Sequence, residues 1–373
     1  MKRFSKVIAL ALIALMAFGL AACGETQQTP DVDGEATGIT KDNIKVGFVY
    51  IGAKGDKGYT YAHDQGALYM QQELGLSDDQ IIKKENIAED GSCEAAMKEL
   101  IEAGCNIIFG TSYGYMNYME ELALEYPDVI FSHCSGYKSS DDNFNNYFGR
   151  IYQARYLSGI AAGLRTESNK IGYVGAYKNP EVIGGANAFA LGVQSVNPDA
   201  KVMFVETQTW YDPDLERKAA VSLLDKGCDV IAQHQDTAMP QKAAEERGVW
   251  GVGYNADMTE EAPAAHLTAP IWNWGIYYKE AVQSVINGTW KSVNYFDGMK
   301  EGVVDISPLS ENCVDGTSEK VEEARAKIIS GEFDVFNGPI SDNAGELKVE
   351  EGSKLSDAEI TSIEWFVENI EVQ

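Results

Sequence analysis

Basic residues are scarce in this chain: 30 Lys and Arg stand against 57 Asp and Glu, for a formal charge of −27. So acidic a chain lacks the basic patches that nucleic acid and anionic lipid surfaces require, and no nucleic-acid partner is expected. Histidine is scarcer still, at four residues: His63, His133, His234 and His266. None falls in an HExxH pattern or a close pair, so no zinc-hydrolase centre is indicated. Of these, His63 could act as a general base, but a helix-surface or ligand-bonding role fits it better. The sequence has no GxSxG and no GxxxxGKS/T, and Gly184-Gly185 lacks the spacing of a dinucleotide fingerprint. Six cysteines (Cys23, Cys93, Cys105, Cys134, Cys228 and Cys313) include no CxxC, which argues against a metal knuckle or a redox motif. Cys105 and Cys228 each follow a Gly at an expected strand start and read as small buried residues; Cys134 sits at a strand end beside His133. With no nucleophile–base pair, metal set or phosphate loop, an enzyme is not expected, and neither is a cofactor.

The longest apolar run, residues 7–20, is shorter than the ~20 residues a membrane span needs. Lys2, Arg3 and Lys6 precede it and Leu20-Ala21-Ala22-Cys23 closes it. This is the three-part build of a secretory signal over residues 1–22, to be left out of the fold. The four closing residues resemble a bacterial lipobox, which implies a lipidated Cys23 as the first mature residue. The stretch that follows, up to residue 42, is rich in Gln, Thr, Asp and Gly and reads as a flexible tether.

About 330 residues then remain, more than one core usually covers, so two domains are expected. Apolar runs at 106–110, 129–132, 147–149, 170–175, 201–206, 229–233, 249–253 and 265–268 alternate with helical patterns at 93–103, 116–125, 152–164, 213–226 and 239–247. Strand and helix alternating at this spacing predict βαβ units and an α/β fold with parallel sheets. The halves echo each other. Glu99-Leu100-Ile101-Glu102-Ala103-Gly104-Cys105-Asn106-Ile107-Ile108 is built like Leu223-Leu224-Asp225-Lys226-Gly227-Cys228-Asp229-Val230-Ile231. In each a helix ends at Gly and a buried strand begins two or three residues later.

The organising stretch is Gly55-Asp56-Lys57-Gly58-Tyr59-Thr60-Tyr61-Ala62-His63-Asp64-Gln65-Gly66, which follows an apolar run over 44–51. Ala62, Gly66, Met70 and Leu74 recur every fourth residue, so a helix opens at the carboxyl end of the first strand, where open parallel sheets bind ligands. Its first amides have no partner within the helix, and Tyr59, Thr60 and Tyr61 stand among them. Tyr59 and Tyr61 could equally pack on a neighbouring loop. Further aromatic and polar clusters follow other strand ends: Thr111 to Tyr115, with Tyr113; Gln208 to Pro213, with Trp210; Gly253 to Asp257; and Ile271 to Trp274. With parallel strands these loops line one cleft.

Four motifs carry a resemblance. They are the first loop, Phe148-Gly149-Arg150-Ile151-Tyr152-Gln153-Ala154-Arg155, Ile171-Gly172-Tyr173-Val174-Gly175, and Trp210-Tyr211-Asp212-Pro213. Together they are similar to the basic membrane protein family of solute-binding lipoproteins, which includes purine nucleoside receptors of bacterial ABC importers. The resemblance runs from about residue 44 to the end. It implies a two-lobed periplasmic-binding-protein type I fold, each lobe a parallel sheet flanked by helices, with ligand in the cleft. On this basis residues 43–150 and 270–295 form lobe 1, and 151–269 and 296–373 form lobe 2. In nucleoside-binding relatives two aromatics sandwich the base, and the matching positions are Tyr59 and Trp210.

The chain also departs from that pattern. An acid expected at the ribose is Asn255, followed by Asp257, and the expected Lys falls near Trp272. An indole there removes a donor and fills space, which favours a free nucleobase over an intact nucleoside. Asn187 offers an amide suited to purine edges, while Asp212 could be ligand-binding or a plain helix cap before Pro213. Arg150 and Gln153 could bond ligand or brace a hinge. The resemblance thus implies a monomeric, lipid-anchored, extracytoplasmic protein that delivers a purine-like ligand to an ABC permease. A nucleoside receptor, a sensor feeding a membrane signalling protein and a riboflavin-type binder are the alternatives.

Overall fold

The computed structural model describes residues 38–373. The expected signal over 1–22, the lipidation site Cys23 and most of the tether lie outside the described residues. In chain order the elements are β1 (Val46–Val49), α1 (Tyr59–Leu74), β2 (Ile81–Lys84), α2 (Gly91–Glu102), β3 (Ile107–Gly110), α3 (Met116–Glu125), β4 (Ile130–Cys134) and β5 (Phe144–Gly149). Next come α4 (Ile151–Arg165), β6 (Lys170–Gly175), α5 (Pro180–Val196), β7 (Lys201–Glu206), α6 (Pro213–Asp225), β8 (Val230–His234), α7 (Met239–Glu246), β9 (Trp250–Val252) and β10 (His266–Thr268). The remainder comprises β11 (Pro270–Trp272), α8 (Trp274–Ile286), β12 (Tyr295–Asp297), β13 (Val304–Ile306), α9 (Thr317–Ser330), β14 (Ile340–Ser341), β15 (Leu347–Val349), α10 (Asp357–Ile360) and β16 (Ile370–Val372).

Two six-stranded sheets organise residues 39–373, in the orders β12-β5-β4-β3-β1-β2 and β10-β9-β8-β6-β7-β16. Every pairing within each is parallel. Parallel sheets are covered on both faces, which is why β1, β3 and β8 are unbroken apolar or buried runs. The echoed segments behave alike. After α2 and α6 the chain turns through Gly104 (φ 87°) and Gly227 (φ 90°), left-handed backbone that glycine adopts without strain, and enters β3 and β8.

The chain passes from the first sheet to the second after β5, returns after β10, and leaves again after β12; β11 and β13 pair antiparallel between the passages. This is the periplasmic-binding-protein type I fold. Helix α8 packs on α1 beside the first sheet, whereas α9 packs on α4. The expected lobe boundary after residue 295 falls inside β12, whose Tyr295 pairs with Tyr147 of β5. A strand of three residues carries too little periodicity to be read in advance. Among the described residues no helix is long and apolar enough to cross a membrane.

Candidate functional site

The slot between the lobes begins with the loop before α1. The Asp56 carboxylate accepts hydrogen bonds from the backbone amides of Gly58 (2.9 Å), Thr60 (2.8 Å) and Tyr61 (2.9 Å). These amides, expected to be open to a ligand, are thus occupied by the chain's own carboxylate. The effect is to lock the loop. A Cβ on Gly58 would lie 2.1 Å from the Asp236 carbonyl oxygen, so only glycine lets this loop meet the second lobe here. Tyr59 is thereby set at the slot, its ring edge-on to His63 (4.5 Å) and its hydroxyl 3.6 Å from Cys134 Sγ.

Ile51, Ser112, Tyr113 and Ser135 complete the first-lobe wall; Glu181, Trp210, His234, Asp236 and Tyr254 face them. Trp210 follows β7 and is held edge-on by Tyr177 at 5.1 Å. The slot is narrow, with a volume of about 20 Å³, room for about one water. Past Tyr113, Ser135 and Glu181, which line both spaces, lies a chamber of about 500 Å³ between β5, β12, the start of α4 and the 357–364 segment.

The slot is acidic. Burial pushes the Glu181 carboxyl up to about 7, opposed by the Ser135 hydroxyl across the slot and by Arg155. Glu181 Oε1 lies 3.3 Å from His234 Nε2, while Oε2 is buried without a hydrogen-bond partner. Burial first, then Asp56, Glu216, Glu181 and Glu89, push the Asp236 carboxyl well above the usual carboxylate range. Burial, and secondarily Arg155, hold His234 well below the usual imidazole range, so its ring is neutral. Among the described residues no Lys or Arg lines the slot. A ligand with N–H donors and no negative charge suits such walls.

Of the residues expected at the site, Tyr59, Tyr113 and Trp210 come together in the slot. The others are placed elsewhere, each for a local reason. Thr60 is fully buried behind the loop, and Tyr61 lies outside the slot lining with the Lys57 ammonium 5.2 Å from its ring centre. Gln153 accepts from the Met299 amide at 2.9 Å and so braces a lobe passage. Asn187 spends both ends of its amide on the C-terminal segment, donating to the Trp365 carbonyl (2.8 Å) and accepting from the Val367 amide (3.0 Å). Asp212 is the N-cap of α6, accepting from Asp214 and Leu215 amides. Asn255 is buried at φ 72° with its side-chain amide 3.4 Å from the Gln235 carbonyl, and Asp257 caps the turn at Thr259.

Trp272 does not line the slot. Its indole stacks on Trp274 at 4.1 Å, and Trp274 stacks in turn on His63 at 4.9 Å, a three-ring pile beneath the lobe passage. The expectation that Trp272 fills a sugar's place finds no support in this position. His63 likewise belongs to the core rather than to a helix surface or a ligand, bonded through Nδ1 to the Tyr278 hydroxyl at 2.6 Å.

Glu181, Ser135 and Asp236 were not picked out as ligand-lining from sequence. The available signal for Glu181 was Asn179-Pro180-Glu181 just past β6. Asn179 caps α5 by accepting from the Val182 amide and Pro180 occupies its first turn, which sets an acid at a second strand-to-helix junction facing the cleft.

Two parallel lobes closing on an aromatic, polar slot define a binding protein that shuts on a small molecule. The family model Bmp, described as "ABC transporter substrate-binding protein PnrA-like", matches residues 43–337, and the chain belongs to that family. It is 39% identical over 331 residues to a purine-binding protein of Brucella abortus, covering 89% of this chain and 94% of that one. A protein of Haloferax volcanii with a provisional name as a glucose-binding protein of an ABC transporter is 37% identical, over 83% of this chain and 78% of that one. Among solved structures, solute-binding proteins of ABC transporter systems from Aeropyrum pernix superpose with a TM-score of 0.69 at 20% identity, covering 79% of this chain and 94% of that one. Substrate-binding proteins of this class work outside the cytoplasm, where they bind a small-molecule ligand and present it to an ABC permease.

Proposed function

We propose that this protein captures a purine nucleobase, or a similarly small planar heterocycle, between Tyr59 and Trp210 and carries it to its permease. The observation that carries the reading is that these two rings, one from each lobe, converge on one slot. A ring stacked on both faces gains on the order of 1 kcal/mol or more per face. The purine-binding relative supports the choice of heterocycle, and the absence of a cationic side chain in the slot argues against a nucleotide. Since the slot has room for about one water, the lobes must part to admit a base and then close on it, the closed form being what a permease reads. We further propose that the protein is a monomer held at the membrane through a lipid on Cys23.

A second reading, an intact nucleoside, is favoured by one observation: the chamber beyond Tyr113 and Glu181 could hold a ring substituent. Calorimetric titration of ligand-stripped protein with adenine, adenosine, riboflavin and glucose separates these. Adenine binding at least tenfold tighter than adenosine supports the nucleobase; the reverse order selects the nucleoside. Binding of glucose or riboflavin alone overturns the purine assignment.

A further inference from the structure

Glu181 is the buried carboxyl that faces both the slot and the chamber. One of its oxygens is anchored: Oε1 sits 3.3 Å from His234 Nε2. The other, Oε2, is buried and makes no hydrogen bond of good geometry, although the Ser135 hydroxyl across the slot is near enough to favour the charged carboxyl, and a carboxylate oxygen left so costs stability unless something completes it. Since the bond to a carboxylate requires a proton on Nε2, His234 Nδ1 is bare, and it too is buried without a partner.

Behind His234 stands Arg155, fully buried on α4. Its Nη1 donates to the Gln233 carbonyl at 2.6 Å and its guanidinium lies 3.5 Å from the centre of the Tyr254 ring, while Nε and Nη2 have no partner. A Cβ on Gly185 would sit 3.3 Å from His234 Nδ1 and 3.5 Å from Arg155 Nε, so these two unpartnered atoms border the same glycine. Among the described residues Arg155 pairs with no carboxylate side chain, and Glu181 is an anion it can compensate at a distance. The other titratable groups around Glu181 are His234 at the end of β8, Asp236 just beyond it, Tyr254 beyond β9, and Tyr59, Tyr113 and Cys134 from the facing lobe. His234 is neutral, and Arg155 is the cation whose charge acts on Glu181.

We propose that Glu181 is the specificity-determining acceptor of the slot, taking through Oε2 a hydrogen bond from an amino group or ring N–H of the bound heterocycle, with His234 and Arg155 as positioning residues. This rests on the purine reading above. It deepens that reading by assigning the ligand a donor edge toward α5 and by excluding ligands that present only acceptors or a phosphate there.

The test is calorimetric titration of adenine against wild type, E181Q and R155M from about pH 6 to about pH 8.5, a range in which adenine stays uncharged. Wild-type affinity should weaken as pH falls, because protonation removes the acceptor. E181Q keeps the shape but should lose about tenfold in affinity near pH 8 and lose the pH dependence. R155M should move the midpoint of that dependence upward, whatever its effect on the affinity itself; a midpoint left where wild type has it would overturn the positioning role of Arg155. Adenine affinity in E181Q within about threefold of wild type, with the same pH profile, overturns the proposal. Should E181Q fail to fold, wild type decides: affinity unchanged or rising toward pH 6 overturns it. Failure of wild type to bind any purine overturns the purine reading, and this inference with it.

Discussion

Two aromatic groups in this protein use the same residue types for opposite ends. In the slot, Tyr59 and Trp210 meet His63 and Tyr177 in T-shaped contacts, at 4.5 and 5.1 Å, and both rings line the cavity. Beneath the lobe passage, Trp272, Trp274 and His63 lie face to face at 4.1 and 4.9 Å and use up each other's surfaces. An edge contact fixes a ring while leaving its face to a ligand; a stack satisfies the face. The lesson is that an aromatic near a strand end indicates a ligand only when its face stays open.

Removing Trp274 should break the core side of this comparison. It is fully buried, so W274A should cost about 3–5 kcal/mol of unfolding free energy, measured by denaturant titration. Truncating the slot ring should do the reverse. W210A should lose about 1–3 kcal/mol of purine affinity by calorimetry, with a change in melting temperature far smaller than that of W274A.

Polar residues extend the contrast. Asn187 holds the 365–367 backbone, so N187A should cost about 1–3 kcal/mol of stability and leave the affinity for adenine unchanged. An effect on affinity larger than that on stability would return Asn187 to the ligand.

The smallest effect should come from Glu181 in the unliganded protein. Its folded-state pKa, about 7, stands above the ordinary value of 4.5, so the folded state holds the proton more tightly. The stability this contributes is complete below about pH 4.5 and is lost as pH rises through about 7. E181Q removes that loss and should therefore stabilise the unliganded protein on the order of 1 kcal/mol near pH 8, with no gain near pH 4.5. A variant no more stable than wild type near pH 8 would show that the carboxyl is not strained by burial. Function and stability pull apart at this residue.

Much of the fold was legible because its signals are local. Runs at 170–175 and 201–206 match β6 and β7, and the helical spacing at 116–125 matches α3. The Gly104 and Gly227 turns are set by backbone sterics that any reader of the sequence can apply. Short strands such as β11, β12 and β13 were not legible, since three residues carry no period. The site divides in the same way. Tyr59, Tyr113 and Trp210 could be named from strand-end position and motif. Asn187, Asp212 and Trp272 stood in equally suggestive places, yet Asn187 is taken by the distant 365–367 backbone, Asp212 by the first turn of its own helix, and the face of Trp272 by Trp274 two residues on.

By itself, then, the sequence determined the α/β architecture, the family and two rings, Tyr59 and Trp210, that line the slot, because periodicity, glycine turns and motif spacing act within a few dozen residues. Tertiary structure alone decided which polar groups stay free. The C-terminal segment consumes Asn187, while Glu181 stands between the lobes with one oxygen buried and unsatisfied. Whether a side chain can meet a ligand depends on what else competes for it, and for Asn187 the competitors, Trp365 and Val367, lie far along the chain.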